Sequence, residues 1–337
     1  MRPLASLAIA LTFAGVLAPQ AALAWGPMGH RLVGEAAIRG LPAGAPGFLR
    51  SPGTASEVGE LSREADRSKG AGRIHDHNRD AAHFVDLDDA GRVLGGPRLA
   101  ELPPTRAEYE TALRAAGADS WKAGYLPYAI IDAWQQLTKD FGYWRALAAA
   151  ESRSTEPGRR AWYAEDRRRR EALILANIGV LSHYVADGAQ PLHVTVHYNG
   201  WGDYPNPRGF TQEKIHASFE GDGLVRASGF ATATSAPEAF RPCRCSMEAR
   251  TAAYLGASGA LVERVYELHS RGGLSGSNAE AAGFVRGRLE AGSLELRDLI
   301  MEAYLASETA RVGWPAVTVQ SVEAGEVDPF AALYGDE

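Results

Sequence analysis

The sequence predicts an all-α fold, on two observations. Apolar residues recur at helical spacing over long runs, whereas runs of alternating apolar and polar residues are scarce. The helical runs fall at roughly 105–117, 124–152, 158–188, 212–228, 246–271 and 276–311. Gly and Pro clusters separate them and act as stop signals.

Ahead of these runs the chain opens Met1-Arg2-Pro3, followed by an apolar stretch from Leu4 to Leu17 and by Ala-Leu-Ala at 22–24. A positive start, an apolar stretch and a small-residue end match a secretory signal. Residues 1–24 are therefore expected to be removed, giving a secreted or periplasmic protein that begins at Trp25. Pro19 and Gln20 interrupt the apolar stretch short of the ~20 residues that a membrane span needs. No integral membrane segment is expected in the mature chain.

Removal of 24 of the 337 residues leaves 313, enough for one large domain, and a monomer is expected. Arg2 is the only charge lost, so the formal net charge moves from −6 to −7. That balance argues against coating nucleic acid by general phosphate neutralisation, which needs many Lys and Arg. It leaves room for a local basic or metal site.

Between the helical runs, 68–104 is rich in Gly, Asp and His with no sustained period, and reads as a long functional loop or a set of short turns. Arg167 to Arg170 are flanked by Glu165, Asp166 and Glu171, the pattern of a solvated, charge-laced helix face. The stretch from Gly313 to Glu337 is expected to be irregular. Cys243 and Cys245 are the only cysteines; in an exported protein they form a tight disulfide or stay reduced, since so short a loop is strained.

The chemistry-bearing residues are histidines and carboxylates. In His183-Tyr-Val-Ala-Asp187-Gly-Ala-Gln-Pro-Leu-His193, positions 183 and 187 lie one helical turn apart on the face that carries Ala176 and Val180. An inward Asp is costly unless it is paired or metal-bound. Pro191 ends the helix and lets His193 fold back toward the same cluster. His216 and Glu220 repeat the four-residue spacing. Upstream lie Asp66, His83 in His-Phe-Val-Asp86, and His30, five residues after the expected mature start. His75 and His77 compete with His83, but only His83 has the His-Phe-x-Asp context. His197 and His269 read as surface or hydrogen-bonding histidines.

This set, from Trp25-x4-His30 through His183-x3-Asp187-x5-His193 to His216-x3-Glu220, resembles the superfamily that joins bacterial zinc phospholipase C with the fungal and plant single-strand-specific nucleases of the S-one/P-one type. The resemblance implies a multi-helix single domain over 25–312 with a cleft holding three zinc ions. By position, the first zinc takes Asp66, His83, His183 and Asp187, and the second His193, His216 and Glu220. The third takes the amine and carbonyl of Trp25 together with His30 and Asp187. It further implies hydrolysis of a phosphodiester by zinc-activated water, with Asp187 bridging two ions and Asp66 orienting the water or accepting its proton. Lys69 stands where the nucleases carry a phosphate-contacting Arg, and Arg67 is nearby. Phe84, Asp86 and Asn199 are expected to bind substrate, the ring by stacking on an unstacked base. The Trp-x4-His spacing favours a nuclease for single-stranded nucleic acid or nucleotides; Glu220, where the nucleases have Asp, keeps a phospholipase C acting on phospholipid as the alternative. A non-catalytic zinc-binding protein is a third reading, and it requires a broken ligand set, whereas every ligand position here is filled.

Overall fold

The computed structural model describes residues 25–232, 239–240 and 242–335. The expected signal at 1–24 lies outside the described residues.

Two long helices set the frame. α7 (Leu126–Arg153) and α8 (Pro157–Ala189) are joined by a three-residue turn, and Pro157 at the first position of α8 suits a residue without a free amide hydrogen. They pack along their length, with α13 (Ala279–Ala306) and α1 (Gly26–Arg39) laid against them. The first half of α8 is charge-laced, with Arg167 paired to Glu151 and Glu171, Arg169 to Glu165 and Asp166, and Arg170 to the buried Asp140. The second half carries Ile174, Ile178, Leu181, Val185 and Ala189 into the core. This half has the length and mean hydropathy of a membrane span, yet 61% of it is buried by the rest of the chain, as in the core helix of a globular domain.

Short helices surround this frame: α2 (Thr54–Leu61), α3 (Glu64–Arg67), α4 (Arg73–Arg79), α5 (Arg106–Ala115), α6 (Ser120–Ala123), α9 (His216–Phe219), α10 (Asp222–Ala227), α11 (Met247–Gly259), α12 (Val262–Ser270), α14 (Val319–Ala324) and α15 (Phe330–Tyr334). Several starts are capped as their sequences demand. Thr105 and Glu108 form a reciprocal capping box on α5, and the Asn278 side chain accepts from two amides of α13.

Four departures from the sequence reading are local. The run at 212–228 is two short helices split at Gly221, and 246–271 breaks at Ala260 and Leu261 into α11 and α12. α1 is not among the six runs because Gly26, Gly29 and Gly34 weaken its helical signal; a side chain at Gly34 would come within 3.1 Å of Ser182 Oγ on α8, so the small residue is what lets the helices touch. The stretch at 314–335 carries regular elements where an irregular one was expected. β1 (Arg311–Val312) pairs antiparallel with β2 (Val317–Thr318), and Val312, Val319 and Val322 pack around Ala146 of α7. Its elements are too short to show a period. The structure also joins Cys243 to Cys245 as a disulfide, with Cα atoms 5.3 Å apart.

One tight crossing positions the site. Residues 81–86 run alongside 123–126, with Tyr125 N donating to Ala81 O, Asp86 N to Ala123 O and Leu126 N to Phe84 O. Gly124, at φ +74°, lies so close to the Phe84 carbonyl that an added Cβ would sit 2.0 Å from its oxygen. Gly124→Ala combines a left-handed backbone with a backbone clash and is expected to cost roughly 2–4 kcal/mol. Gly44, with nothing within 4 Å, is the control. Thermal denaturation should show a Tm several degrees lower for the first variant and no change for Gly44→Ala; equal midpoints would show that the crossing relaxes freely.

Candidate metal centre

His183 and Asp187 stand one turn apart on the buried half of α8, and both are fully buried. Around Asp187 the chain brings in four histidines from separate elements. Its Oδ2 lies 3.0 Å from His83 Nδ1 and 3.3 Å from His183 Nε2; its Oδ1 lies 3.6 Å from His30 Nε2 and 3.8 Å from His193 Nδ1. The His30 ring, from α1, stacks on His183 at 3.9 Å. Asp66, from α3, brings Oδ1 within 3.7 Å of His183 Nε2 and 4.0 Å of His83 Nδ1. A second focus lies beside the first, where Glu220 Oε1 is 2.7 Å from His216 Nε2 and 3.1 Å from His193 Nε2.

Three groups of donors therefore could each hold a metal ion: His30, Asp66 and His183; His83, His183 and Asp187; His193, His216 and Glu220. The last is the expected second set. The expected first set is divided over two overlapping groups that share His183, and His30 joins Asp66 as well as Asp187. Trp25 is fully buried; its indole donates to Ala186 O at 2.8 Å, and its carbonyl accepts the Gly29 amide of the first turn of α1.

Hydrogen-bond chemistry shows that these residues suit cations. His183 Nδ1 lies 2.8 Å from Ser62 O, His193 Nδ1 2.6 Å from His83 O, and His216 Nδ1 2.8 Å from Tyr198 O. A carbonyl only accepts, so each Nδ1 carries the hydrogen, and in the neutral ring each Nε2 presents a lone pair to the cluster. Two such nitrogens then face each other, His193 Nε2 and His216 Nε2, 3.1 Å apart. Facing lone pairs repel unless a proton or an ion lies between them. No hydrogen bond reaches the buried Asp187 Oδ1 or Glu220 Oε2 among the described residues, so each keeps acceptor capacity for an ion.

The electrostatics agree. Burial opposes the Asp187 charge, but His183 and His193 hold it well below the usual carboxylate range. Glu220 likewise is raised by burial and lowered more by His216 and His193, to about 2. Burial pulls His193 down while Asp187 and Glu220 push it up to about 9. His30 is driven to about 3, by burial and by the neighbouring His183. Without a metal, the ionised carboxylates are thus balanced by protons held on some of the imidazoles. A cation must displace those protons to bind.

The cleft above the donors has a volume of about 380 Å³ and is walled by Lys69, Phe84, Asp86, Trp121, Lys122 and Tyr198. Lys69 pairs with Asp66 at 2.7 Å. Arg67 is a correction: its guanidinium pairs with Glu64 one turn back and reaches Glu60 at 4.0 Å, away from the cleft. Asn199, expected to bind substrate, accepts the His216 amide at 3.2 Å and so orients a donor. His77 lies edge-on to Trp121, and His75 is beside Asp76. His197 is buried, stacked on Trp201 and bonded to Trp201 O and Asp89. Sequence reasoning missed Gln190, whose amide donates to Glu220 Oε1 at 2.6 Å while its oxygen accepts the Leu192 amide. A polar residue wedged between a helix end and Pro191 was the available signal. Trp121 and Tyr198, 42% and 50% exposed, were missed as well. No protein-family model matches the chain, and no curated protein matches it.

Elemental analysis of protein purified without chelators should give close to three transition-metal ions per chain, and Asp187→Asn should lower that number. One ion or none in the unaltered protein would leave the cluster a hydrogen-bonded network. Metal added back to stripped protein at neutral pH should release protons, because His193 without metal stays protonated up to about 9. Calorimetry in two buffers of different ionisation enthalpy reads this directly, and identical heats would contradict ligation by His193.

Proposed function

We propose that the chain is a zinc-dependent phosphodiesterase that cleaves single-stranded nucleic acid. The observation that carries this reading is the convergence of eight histidine and carboxylate donors, with no cysteine among them, beneath an aromatic and lysine-walled cleft. Imidazole and carboxylate donors suit a zinc centre that keeps positions open for water and substrate. Zinc bound there would lower the pKa of a water and neutralise phosphate oxygens.

The chain's own residues supply the rest. Asp66, 16% exposed and tied to the cleft residue Lys69, orients the attacking water and takes its proton. The Lys69 ammonium, in the same wall, faces a non-bridging phosphate oxygen. Phe84 presents a partly exposed ring on which an unstacked base can lie, and Asp86 offers its carboxyl to the base edge. Asp187 holds the donors of two foci together. The phospholipase C alternative shares the metal chemistry and differs in what the walls contact.

Assay of the protein beginning at Trp25 against single-stranded DNA and phosphatidylcholine, side by side, tests the reading. Single-stranded DNA should be cleaved, and Asp187→Asn should lose at least about 100-fold in kcat, the order expected when transition-state charge stabilisation is removed. Head-group release without DNA cleavage would establish the alternative, and no turnover of either substrate would refute both.

The N-terminus provides a further test. A free α-amine, with a pKa of about 8, can lose its proton and ligate, whereas an amide nitrogen has no available lone pair. One residue added before Trp25 is expected to remove the ion nearest His30 and most of the activity. Equal metal content and equal turnover in the two forms would leave His30 without that ion.

A further inference from the structure

Beside the metal cleft lies a second hollow, an open groove of about 950 Å³ that no role assigned above uses. Arg73, His75, Asn78 and Arg79 of α4 form one wall, and Arg106 of α5 and Tyr125 form the other. α4 itself separates the groove from the metal cleft. His77 on α4 touches Trp121, a cleft residue, with ring centres 4.6 Å apart. The Asn78 carbonyl accepts the Tyr125 hydroxyl at 2.8 Å, and the turn Asp80–His83 carries the chain directly from α4 to His83.

The charges in this groove are unlike those on the charge-laced face of α8. There Arg167, Arg169 and Arg170 are matched to carboxylates, and among the described residues Arg168 alone of the run is not. Arg73 and Arg79 are exposed, and among the described residues neither makes an ion pair or a side-chain hydrogen bond. The Arg106 guanidinium lies 3.7 Å from the Tyr125 ring centre and reaches Glu110 at 3.5 Å, with 38% of the side chain exposed. Acids border the groove too: Glu110 and Asp132 near Arg106, Asp76 beside His75, and Asp80 in the wall of the metal cleft.

We propose that this groove holds backbone phosphates of a single strand whose scissile bond lies in the metal cleft, so that the strand crosses α4 past Trp121. The inference rests on the nuclease reading and extends it to substrate length. Guanidinium forks match phosphate oxygens, and an arginine stacked on tyrosine presents a further face to a base. A strand reaches both hollows at once. A single phospholipid head group does not.

The test uses the metal-loaded protein, the double variant Arg73→Gln/Arg79→Gln, and two substrates, a thymidine dinucleotide and a long oligothymidylate. The variant is expected to lose about tenfold in kcat/KM on the long strand at low salt, with a log–log salt slope shallower by about 1.4, or 0.7 for each of two phosphates. Its turnover of the dinucleotide should equal that of the unaltered protein, and Arg79→Lys in place of Arg79→Gln should restore part of the slope. Dinucleotide cleavage by the unaltered protein tests the nuclease reading on its own. Given that cleavage, a variant with an unchanged rate and slope on the long strand, or with equal losses on both substrates, overturns the groove; cleavage of neither substrate by the unaltered protein overturns groove and reading together.

Discussion

Asp187 is a carboxylate with no exposed surface, set among Val185, Ala186 and Ala189 on the helix that forms the centre of the fold. Burying an ionised group there without partners would cost more than a domain of this size has in net stability. The surrounding chain can be understood as the means of meeting that cost. α1 delivers His30, the turn after α4 delivers His83, and the turn after α8 delivers His193, while the Ser62 carbonyl at the end of α2 turns His183 toward the same carboxylate. Asp66 of α3 faces His183 and His83 and adds a second negative charge that these imidazoles share.

A division of labour follows between regular and irregular backbone. The long helices supply a rigid floor and bury the apolar surface, whereas the aim of the donors is set by carbonyls in turns. Ser62, His83 and Tyr198 each fix one imidazole through its Nδ1 hydrogen, which commits the opposite nitrogen to the cluster. His83 serves twice, with its ring as a donor and its carbonyl as the anchor of His193. The two foci are mechanically linked through that residue, so a shift in residues 81–86 reaches both.

Much of this was legible in the sequence, and the limits have physical causes. The four-residue spacing of His183 and Asp187 inside a long amphipathic run reads directly as one helix face, and the structure has that face turned inward. His216 and Glu220 share the spacing, but their helix is a single turn, and the pair depends on Gln190 and the Tyr198 carbonyl, which no periodicity reveals. Arg67 was misread because proximity in sequence to Asp66 does not say on which side of a turn a side chain emerges; its partner Glu64 lies one turn back. The segment after Gly313 gave no signal because its helices span two turns at most, and they are held by contacts with residues more than 150 positions away, such as Arg145 with Glu323.

That terminal segment also governs how the molecule can be joined to other things. Phe330 packs against Trp162 and Tyr163, and Asp328 accepts the Tyr163 hydroxyl, at the outer end of α8. Tyr163 precedes Asp187 by 24 positions on one continuous helix, a rise of about 36 Å. A tether, immobilising resin or fused domain attached beyond Tyr334 would therefore be anchored at the end of α8 remote from Asp187, whereas anything fused ahead of Trp25 would begin beside Ala186, the neighbour of Asp187.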